Sequence, residues 1–359
     1  MDTSQQIEQL NAGGPPPDAI LMQMLYGPLM QQCVCVATKL KIADMVAETP
    51  KTVTELAKLT QTNEDALYRI LRMLASTGIF VESKNREFGL TLLASLLRSD
   101  VPNSMYNFAI MMGEEWLWKN WGELMHCVKT GETAHEKVHG IDSFKFFAEN
   151  KEAGHVFNNA MTNLSELVVP AVVEAYDFSS FDKLVDIAGG YGFTLAEILK
   201  ANQQLKGVLF ELPYLIDNAK EFLEKEGVIN RVELVTGDFF QSVPTGADAY
   251  IMKHIIHDWN DELCIKILQN VGAVMNKKGK ILIVEMVVPE INVPSPAKML
   301  DLQMLVMEGG KERTKEEFES LLKTAGFNLT NIHLTKSPFC IIEGELIDDK
   351  AEPQSNNLL

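Results

Sequence analysis

The stretch Lys183-Leu-Val-Asp-Ile-Ala-Gly-Gly-Tyr-Gly192 governs how the rest of the chain is read, because an apolar strand carries a carboxylate, Asp186, straight into a glycine turn. A dinucleotide loop, G-x-G-x-x-G, brings pyrophosphate onto a helix N-terminus and gains nothing from a nearby negative charge. Here the order is D-x-x-G-G-x-G, and Leu195 stands where a third glycine would follow Gly190 and Gly192. A ligand that is cationic at this point fits better. S-adenosylmethionine, with its sulfonium and ammonium groups, is the common one. Gly189 and Gly190 lack a Cβ, so backbone can come close to such a ligand.

Two further strand ends repeat the theme. Leu205-Lys-Gly-Val-Leu-Phe-Glu211 reads as a second strand whose acid falls about 20 residues past the turn, the offset at which an acid grips ribose hydroxyls in nucleotide-binding α/β folds. Glu211 is the expected ribose ligand. A third strand, Arg231-Val-Glu-Leu-Val-Thr236, runs into Gly237-Asp-Phe-Phe240, where Asp238 offers a carboxylate to the adenine amino group and Phe239 a ring to its face. Each acid alone could merely cap the helix that follows. Three in this order point to the nucleoside-bearing ligand.

Composition sets outer limits. With 359 residues the chain is long enough for two domains and a sizeable core. Its 49 acidic against 32 basic residues give a net charge of −17, which repels nucleic acid and anionic membrane. No apolar run approaches the roughly 20 residues of a membrane span. The opening Met-Asp-Thr-Ser-Gln-Gln-Ile-Glu has neither the basic nor the apolar region of a signal peptide, so the cytoplasm is the expected compartment. Five cysteines without C-x-x-C spacing indicate neither a disulfide framework nor a zinc site.

Along the chain, a polar Gly/Pro-rich head, residues 1–18, is expected to be a flexible tail. Residues 19–48 form a Met-rich helical stretch with no charge before Lys39, too apolar to stand alone in water. Cap-like starts at Thr52-Val-Thr-Glu55 and Thr62-Asn-Glu-Asp65, a helical run over 66–74, and a β-wing from Ile79 to Leu90 then compose a winged helix-turn-helix within residues 19–102. That pattern admits a second function class, a catalytically inactive, ligand-responsive DNA-binding regulator. The charges oppose it: Arg69 and Arg72 are offset by Glu64 and Asp65, and Lys84 and Arg86 by Glu82 and Glu87. A dimer-forming role, with the apolar helices meeting those of a twin subunit, suits the segment better. Residues 103–345 form the second domain, helical over 103–178 and a Rossmann-like core over 179–345, followed by a flexible tail, 346–359. Aromatics and methionines at helical spacing in 103–178 are mostly core, but some must roof a site for a planar substrate; Trp116, Phe157 and Met161 are the expected ones.

The chemistry is expected in Ala249-Tyr-Ile-Met-Lys-His-Ile-Ile-His-Asp-Trp-Asn-Asp-Glu262. A strand ending near Lys253 delivers His257 to the C-terminal edge of the sheet, where open α/β folds bind ligands. His257 is then a general base; the alternatives are a core histidine, or a metal pair with His254 for which no third ligand lies at a nearby spacing. A base is needed because a phenol of pKa ~10 is protonated at neutral pH, and transfer to a free imidazole of pKa ~6.5 is uphill by about 5 kcal/mol. A carboxylate on the far ring nitrogen narrows that gap and fixes the tautomer. Glu285, ending Lys280-Ile-Leu-Ile-Val-Glu285, and Glu312, in Gly309-Gly-Lys-Glu-Arg-Thr314, are the candidates.

Taken in order, D-x-x-G-G-x-G, Phe-Glu-Leu-Pro213, Gly-Asp-Phe-Phe240, Met-Lys-His-Ile-Ile-His-Asp-Trp259, Ile-Val-Glu285 and Gly-Gly-Lys-Glu-Arg-Thr314 resemble the S-adenosylmethionine-dependent O-methyltransferases typified by the caffeic acid and flavonoid enzymes. The resemblance extends from about residue 20 to residue 345. It implies a seven-stranded, Rossmann-like class I methyltransferase domain preceded by an α-helical winged-helix dimerisation domain, in a metal-independent homodimer that converts S-adenosylmethionine to S-adenosylhomocysteine. It implies His257 as base, bracketed by Glu285 and Glu312, with Asp186, Glu211, Asp238, Phe239 and Lys253 around the cofactor. The chain departs from the family at Ala188, commonly glycine, and at Glu211, usually aspartate. The phrase Asp301-Leu-Gln-Met-Leu-Val-Met-Glu308 is similar to microbial members that methylate hydroxyls of secondary metabolites. On that basis Asp258, Leu302, Gln303 and Met307 are expected to line the site of a hydroxylated aromatic acceptor.

Overall fold

A computed structural model describes residues 15–347. Of the two expected tails, residues 1–14 and 348–359 lie outside the described residues. The chain divides into two compact units, Met1–Trp118 and Lys119–Leu359.

In the first unit the apolar helix begins at Pro17 and runs to Lys39. By length and composition it could cross a membrane, contrary to the expectation that no stretch approached a span: between Asp18 and Lys39 no charge interrupts it. Leu21, Met22, Met24, Leu25, Tyr26 and Leu29 are all exposed on this helix. Its C-terminal end is tied down by the ion pair of Lys39 with Glu114, 2.7 Å. Beyond it, Thr52 and Glu55 form a reciprocal capping box that starts the helix Val53–Thr60. The next helix, Glu64–Ser76, is capped by Asn63 and not by Thr62, because the Asn63 Oδ1 reaches the Ala66 N–H at 3.0 Å. Strand β1 (Lys51–Thr52) pairs antiparallel with β3 (Glu87–Leu90), which pairs antiparallel with β2 (Phe80–Ser83) to make the wing. Leu56, Leu67, Leu71, Leu74, Phe80 and Phe88 fill the core between helices and wing. The guanidinium groups of Arg72 and Arg86 lie over the Tyr68 ring, 5.5 and 4.2 Å from its centre, which draws two of the basic side chains onto the protein itself.

The second unit is built on a seven-stranded sheet in the order β6-β5-β4-β7-β8-β10-β9. The strands are β4 (Lys183–Ile187), β5 (Lys206–Glu211), β6 (Val232–Thr236), β7 (Ala249–Lys253), β8 (Lys280–Glu285), β9 (Phe327–Leu334) and β10 (Cys340–Leu346). β4 to β8 are parallel, and β10 enters antiparallel beside β8. Because side chains alternate across a strand, Val185, Ile187, Tyr250, Met252, Ile281 and Ile283 pack on one face, with Ile267, Leu268 and Phe318 from the helices Asp261–Val274 and Lys315–Thr324. Leu184, Leu209, Ile251, Leu282 and Val284 pack on the other, under Leu195, Leu199 and Val172. Chain order reverses between β4 and β7, so the C-terminal ends of β4, β5, β7 and β8 meet at one crevice, where open parallel sheets bind ligands.

Candidate active site

The cofactor end is assembled by adjacency in the sheet. Asp186 sits in β4, Glu211 closes β5, Lys253 closes β7, and Asp238 follows β6. Asp186 is 1% exposed, and its carboxylate has no side-chain hydrogen-bond partner among the described residues; the backbone N–H of Leu195 faces it. Burial raises its pKa to about 7, against the downward pull of Lys253. Gly189 lies directly on this carboxylate: a Cβ there would come 2.6 Å from the Asp186 Cγ. The turn after β4 needs left-handed backbone at Ala188 (φ +53°), Gly190 (φ +60°) and Gly192 (φ +87°). Alanine holds at residue 188 a conformation costing about 1–2 kcal/mol in any residue with a Cβ, which explains why glycine is common there. Glu211 locks the turn: its Oε2 accepts from the Gly190 N–H at 2.8 Å and its Oε1 from the Leu212 N–H at 2.7 Å. Burial pushes Glu211 up to about 7 and Lys253 down to about 8. Asp238 is exposed and accepts from the Phe240 N–H at 2.8 Å, while the Phe239 ring packs edge-on against Phe240 and Trp259. A buried carboxylate without a side-chain partner, a second carboxylate one strand away and a turn with glycine at 189, 190 and 192 fit a cationic nucleoside ligand.

The second cluster lies at the ends of β7 and β8. After β7 the chain makes a single tight turn, Ile256–Asp258, that carries His257. Lys253 pairs with Val284, so Glu285 stands one residue further along, under this turn. Its Oε1 accepts from the backbone N–H of His257 at 2.9 Å, not from the ring. The ring belongs to Glu312, whose Oε1 lies 2.6 Å from Nδ1. Glu312 is held in turn by its own N–H, which donates to Asp301 Oδ1 at 2.9 Å. Gly310 makes the approach possible, since a Cβ there would meet the Trp259 backbone nitrogen at 2.5 Å. On the other side of the ring, Asp258 Oδ1 lies 3.4 Å from Nε2. All four groups are buried. Burial lowers the pKa of His257, raises Glu285 to about 7 and Glu312 to about 8, and raises Asp258 well above its usual value. Neither member of the His257–Glu312 pair is stable carrying a lone charge, so the two share a proton.

One donor atom each from His257, Glu285 and Glu312 falls within 4.8 Å of the others, so a cation could be imagined among them. Those donors are already turned to one another: Glu312 takes Nδ1 and Glu285 takes the His257 N–H. His254, the other histidine of the motif, stacks on His257 with ring centres 5.2 Å apart and joins no such cluster.

Of the expected acceptor residues in this unit, Gln303 and Met307 lie one turn apart on the helix Pro296–Met307. Gln303 Oε1 accepts from Trp121 Nε1 at 2.9 Å, and Met307 Sδ from Asn120 Nδ2 at 3.0 Å. Leu302 is exposed. Phe157 stacks on Phe147, 4.4 Å between centres, with Met161 one turn further along the helix Lys151–Ala175. Trp116 belongs to the first unit. Sequence reasoning passed over Asp301 and Arg313, although both lie inside phrases already singled out; Asn120 and His135, a buried pair 2.9 Å apart, carried no signal at all.

Comparison with known proteins adds identity to this geometry. An O-methyltransferase domain family matches residues 121–328, and an O-methyltransferase dimerisation domain matches residues 22–100. The phenazine O-methyltransferase PhzM of Lysobacter antibioticus is 44% identical over 340 residues, spanning 95% of this chain and 99% of that protein. The crystal structure of LaPhzM superposes with a TM-score of 0.90 at 44% identity, covering 93% of this chain and all of that one. CalO1, a methyltransferase of calicheamicin biosynthesis solved with S-adenosylhomocysteine bound, gives a TM-score of 0.81 at 29% identity over 97% of this chain and all of its own.

Proposed function

The chain belongs to the S-adenosylmethionine-dependent O-methyltransferases that carry a dimerisation domain, and from that premise we propose that it methylates a phenolic hydroxyl of a planar, polycyclic secondary metabolite, with His257 as general base. The observation that carries the role of His257 is the 2.6 Å contact of its Nδ1 with Glu312. When the pair has lost its shared proton, Nδ1–H donates to the Glu312 carboxylate and Nε2 is left with a free lone pair. That nitrogen takes the proton of the acceptor hydroxyl, and the imidazolium formed is stabilised by Glu312 across the ring. Glu285 keeps the turn in place by holding the His257 N–H. S-adenosylmethionine, when bound, supplies the electrophilic methyl, and Asp186, Glu211, Asp238, Phe239 and Lys253 are the residues that would hold it.

Phe157, Met161, Gln303 and Met307 suit a flat ring system, with Asp258 beside the reacting hydroxyl and Leu302 at the margin of the same reading. The relative named for phenazine supports an acceptor of that size and planarity. Homodimerisation through the exposed face of the helix Pro17–Lys39 belongs to the proposal, as does a cytoplasmic setting, which suits five unpaired cysteines. The test is methyl transfer from S-adenosylmethionine to a hydroxyphenazine, followed by product mass and compared with His257→Gln. Turnover by the parent protein and none by the variant is the expected result; equal rates would reject the role of His257.

A further inference from the structure

Among the described residues Arg313 is the largest fully buried side chain, and none of its surface meets solvent. It follows Glu312 directly in an extended segment: Arg313 bridges to Val287, and its carbonyl accepts from the Val288 N–H at 2.9 Å. Neighbouring residues of an extended chain face opposite ways, so Glu312 goes to the imidazole and Arg313 to the backbone that carries it. One terminal nitrogen donates to the Ile256 carbonyl at 2.9 Å; the other donates to the Trp259 carbonyl at 2.9 Å and to Asp261 Oδ1 at 2.8 Å. Nε closes the fork on the same Asp261 oxygen at 3.1 Å. Ile256 and Trp259 are the residues at either side of His257 and Asp258, so a single guanidinium spans both ends of the turn.

A buried cation is costly unless its donors are used, and here they are: beside the bonds to Asp261, the Lys311 carbonyl and Cys264 Sγ, one goes to each of the two carbonyls that flank the base. A structural arginine needed only for packing has no reason to sit next in sequence to the base's carboxylate partner and grip the base's own turn. We propose that Arg313 is a positioning residue for proton removal: with Glu312 on the ring and Arg313 on the turn, one dipeptide fixes the distance and angle of the His257 imidazole. The inference rests on the reading of His257 as base.

A lysine cannot reproduce the fork, because its donors share one compact nitrogen that cannot span the Ile256 and Trp259 carbonyls and Asp261 at once. The experiment measures kcat for Arg313→Lys and His257→Gln on two acceptors of matched shape, with hydroxyl pKa ~10 and ~7, and checks the fold by S-adenosylhomocysteine affinity. Arg313→Lys should bind S-adenosylhomocysteine within about 2-fold of the parent, lose about 10–100-fold in kcat on the weakly acidic acceptor, and lose less than about 3-fold on the acidic one. If His257→Gln shows the acidity dependence and Arg313→Lys loses equally on both acceptors, the inference about Arg313 falls while His257 stands. If His257→Gln itself shows no dependence, both fall. Should Arg313→Lys fail to bind S-adenosylhomocysteine, Asp261→Ala, which frees one arm of the fork at a half-exposed residue, decides: a loss of about 3–10-fold confined to the weakly acidic acceptor is expected, and unchanged kcat on both overturns the proposal.

Discussion

Glu312 Oε1 and His257 Nδ1 lie 2.6 Å apart, closer than an ordinary N–H···O bond, with both groups enclosed. They ionise as a unit. Before the pair loses its proton, Nε2 carries a hydrogen and cannot accept another; afterwards it can. Activity therefore rises with pH as the pair loses its proton, above the ordinary carboxylate range because burial raises Glu312, and then levels. In Glu312→Gln the amide cannot ionise, so that step disappears and the plateau drops by about 10–100-fold. A profile of kcat from pH 6 to 9.5 for both proteins checks this; an unaltered step in the variant contradicts it.

Glu285 touches the turn and not the ring, so its replacement is milder. Glu285→Gln keeps an oxygen for the His257 N–H and should lose less than about 10-fold in kcat with the pH step intact. A loss equal to that of Glu312→Gln would mean the two carboxylates act alike.

Gly310→Ala is expected to disable catalysis without harming cofactor binding. The new Cβ would press on the His257–Trp259 backbone and shift the segment that presents Glu312. A fall in kcat of about 100-fold or more, with S-adenosylhomocysteine affinity held, is the predicted outcome from calorimetry and steady-state rates.

Much of this was legible beforehand, and the exceptions share a cause. The places of Asp186, Glu211 and Asp238 at or near strand ends could be read off because a parallel strand is an apolar run and the turn that follows marks where it stops. His257 was legible in the same way, from the end of β7. Which atom of His257 each glutamate would meet was not, since that depends on the β7–β8 register and on a loop returning 55 residues later. Arg313 was not singled out because nothing local announces that a cation will be wholly enclosed. The membrane-length helix Pro17–Lys39 was passed over because Gln, Tyr and Gly break its apolar run without adding charge.

The buried carboxylates also set how stability depends on pH. Asp186, Glu211, Glu285 and Glu308 are each raised to about 7, mainly by burial, from unfolded values of ~3.9–4.3. A raised carboxyl contributes stability that is whole below its unfolded pKa and lost as pH climbs through the folded one. The ligand-free protein should thus melt at progressively lower temperature between pH 5 and 8. Asp186→Asn should flatten that decline while weakening S-adenosylmethionine binding, by about 1–3 kcal/mol if a charge-assisted hydrogen bond is lost. A parent protein whose Tm rises over this interval would refute the assignment.

The helix Pro17–Lys39 exposes Leu25 and Leu29 one turn apart. Leu25→Arg with Leu29→Arg should convert a dimer to monomer by light scattering at micromolar concentration, through the cost of burying charge at an apolar contact. A dimer that persists would move the interface elsewhere.

Removal of the acceptor proton by His257 is read out by the ratio of kcat between the parent protein and His257→Gln along a series of phenolic acceptors from pKa ~10 down to ~7. A general base at His257 gives a loss of about 10²–10⁴-fold at the weakly acidic end that shrinks steadily as the hydroxyl ionises unaided, with S-adenosylmethionine affinity constant throughout. A loss of the same size at both ends would contradict it and leave His257 an orienting or packing residue.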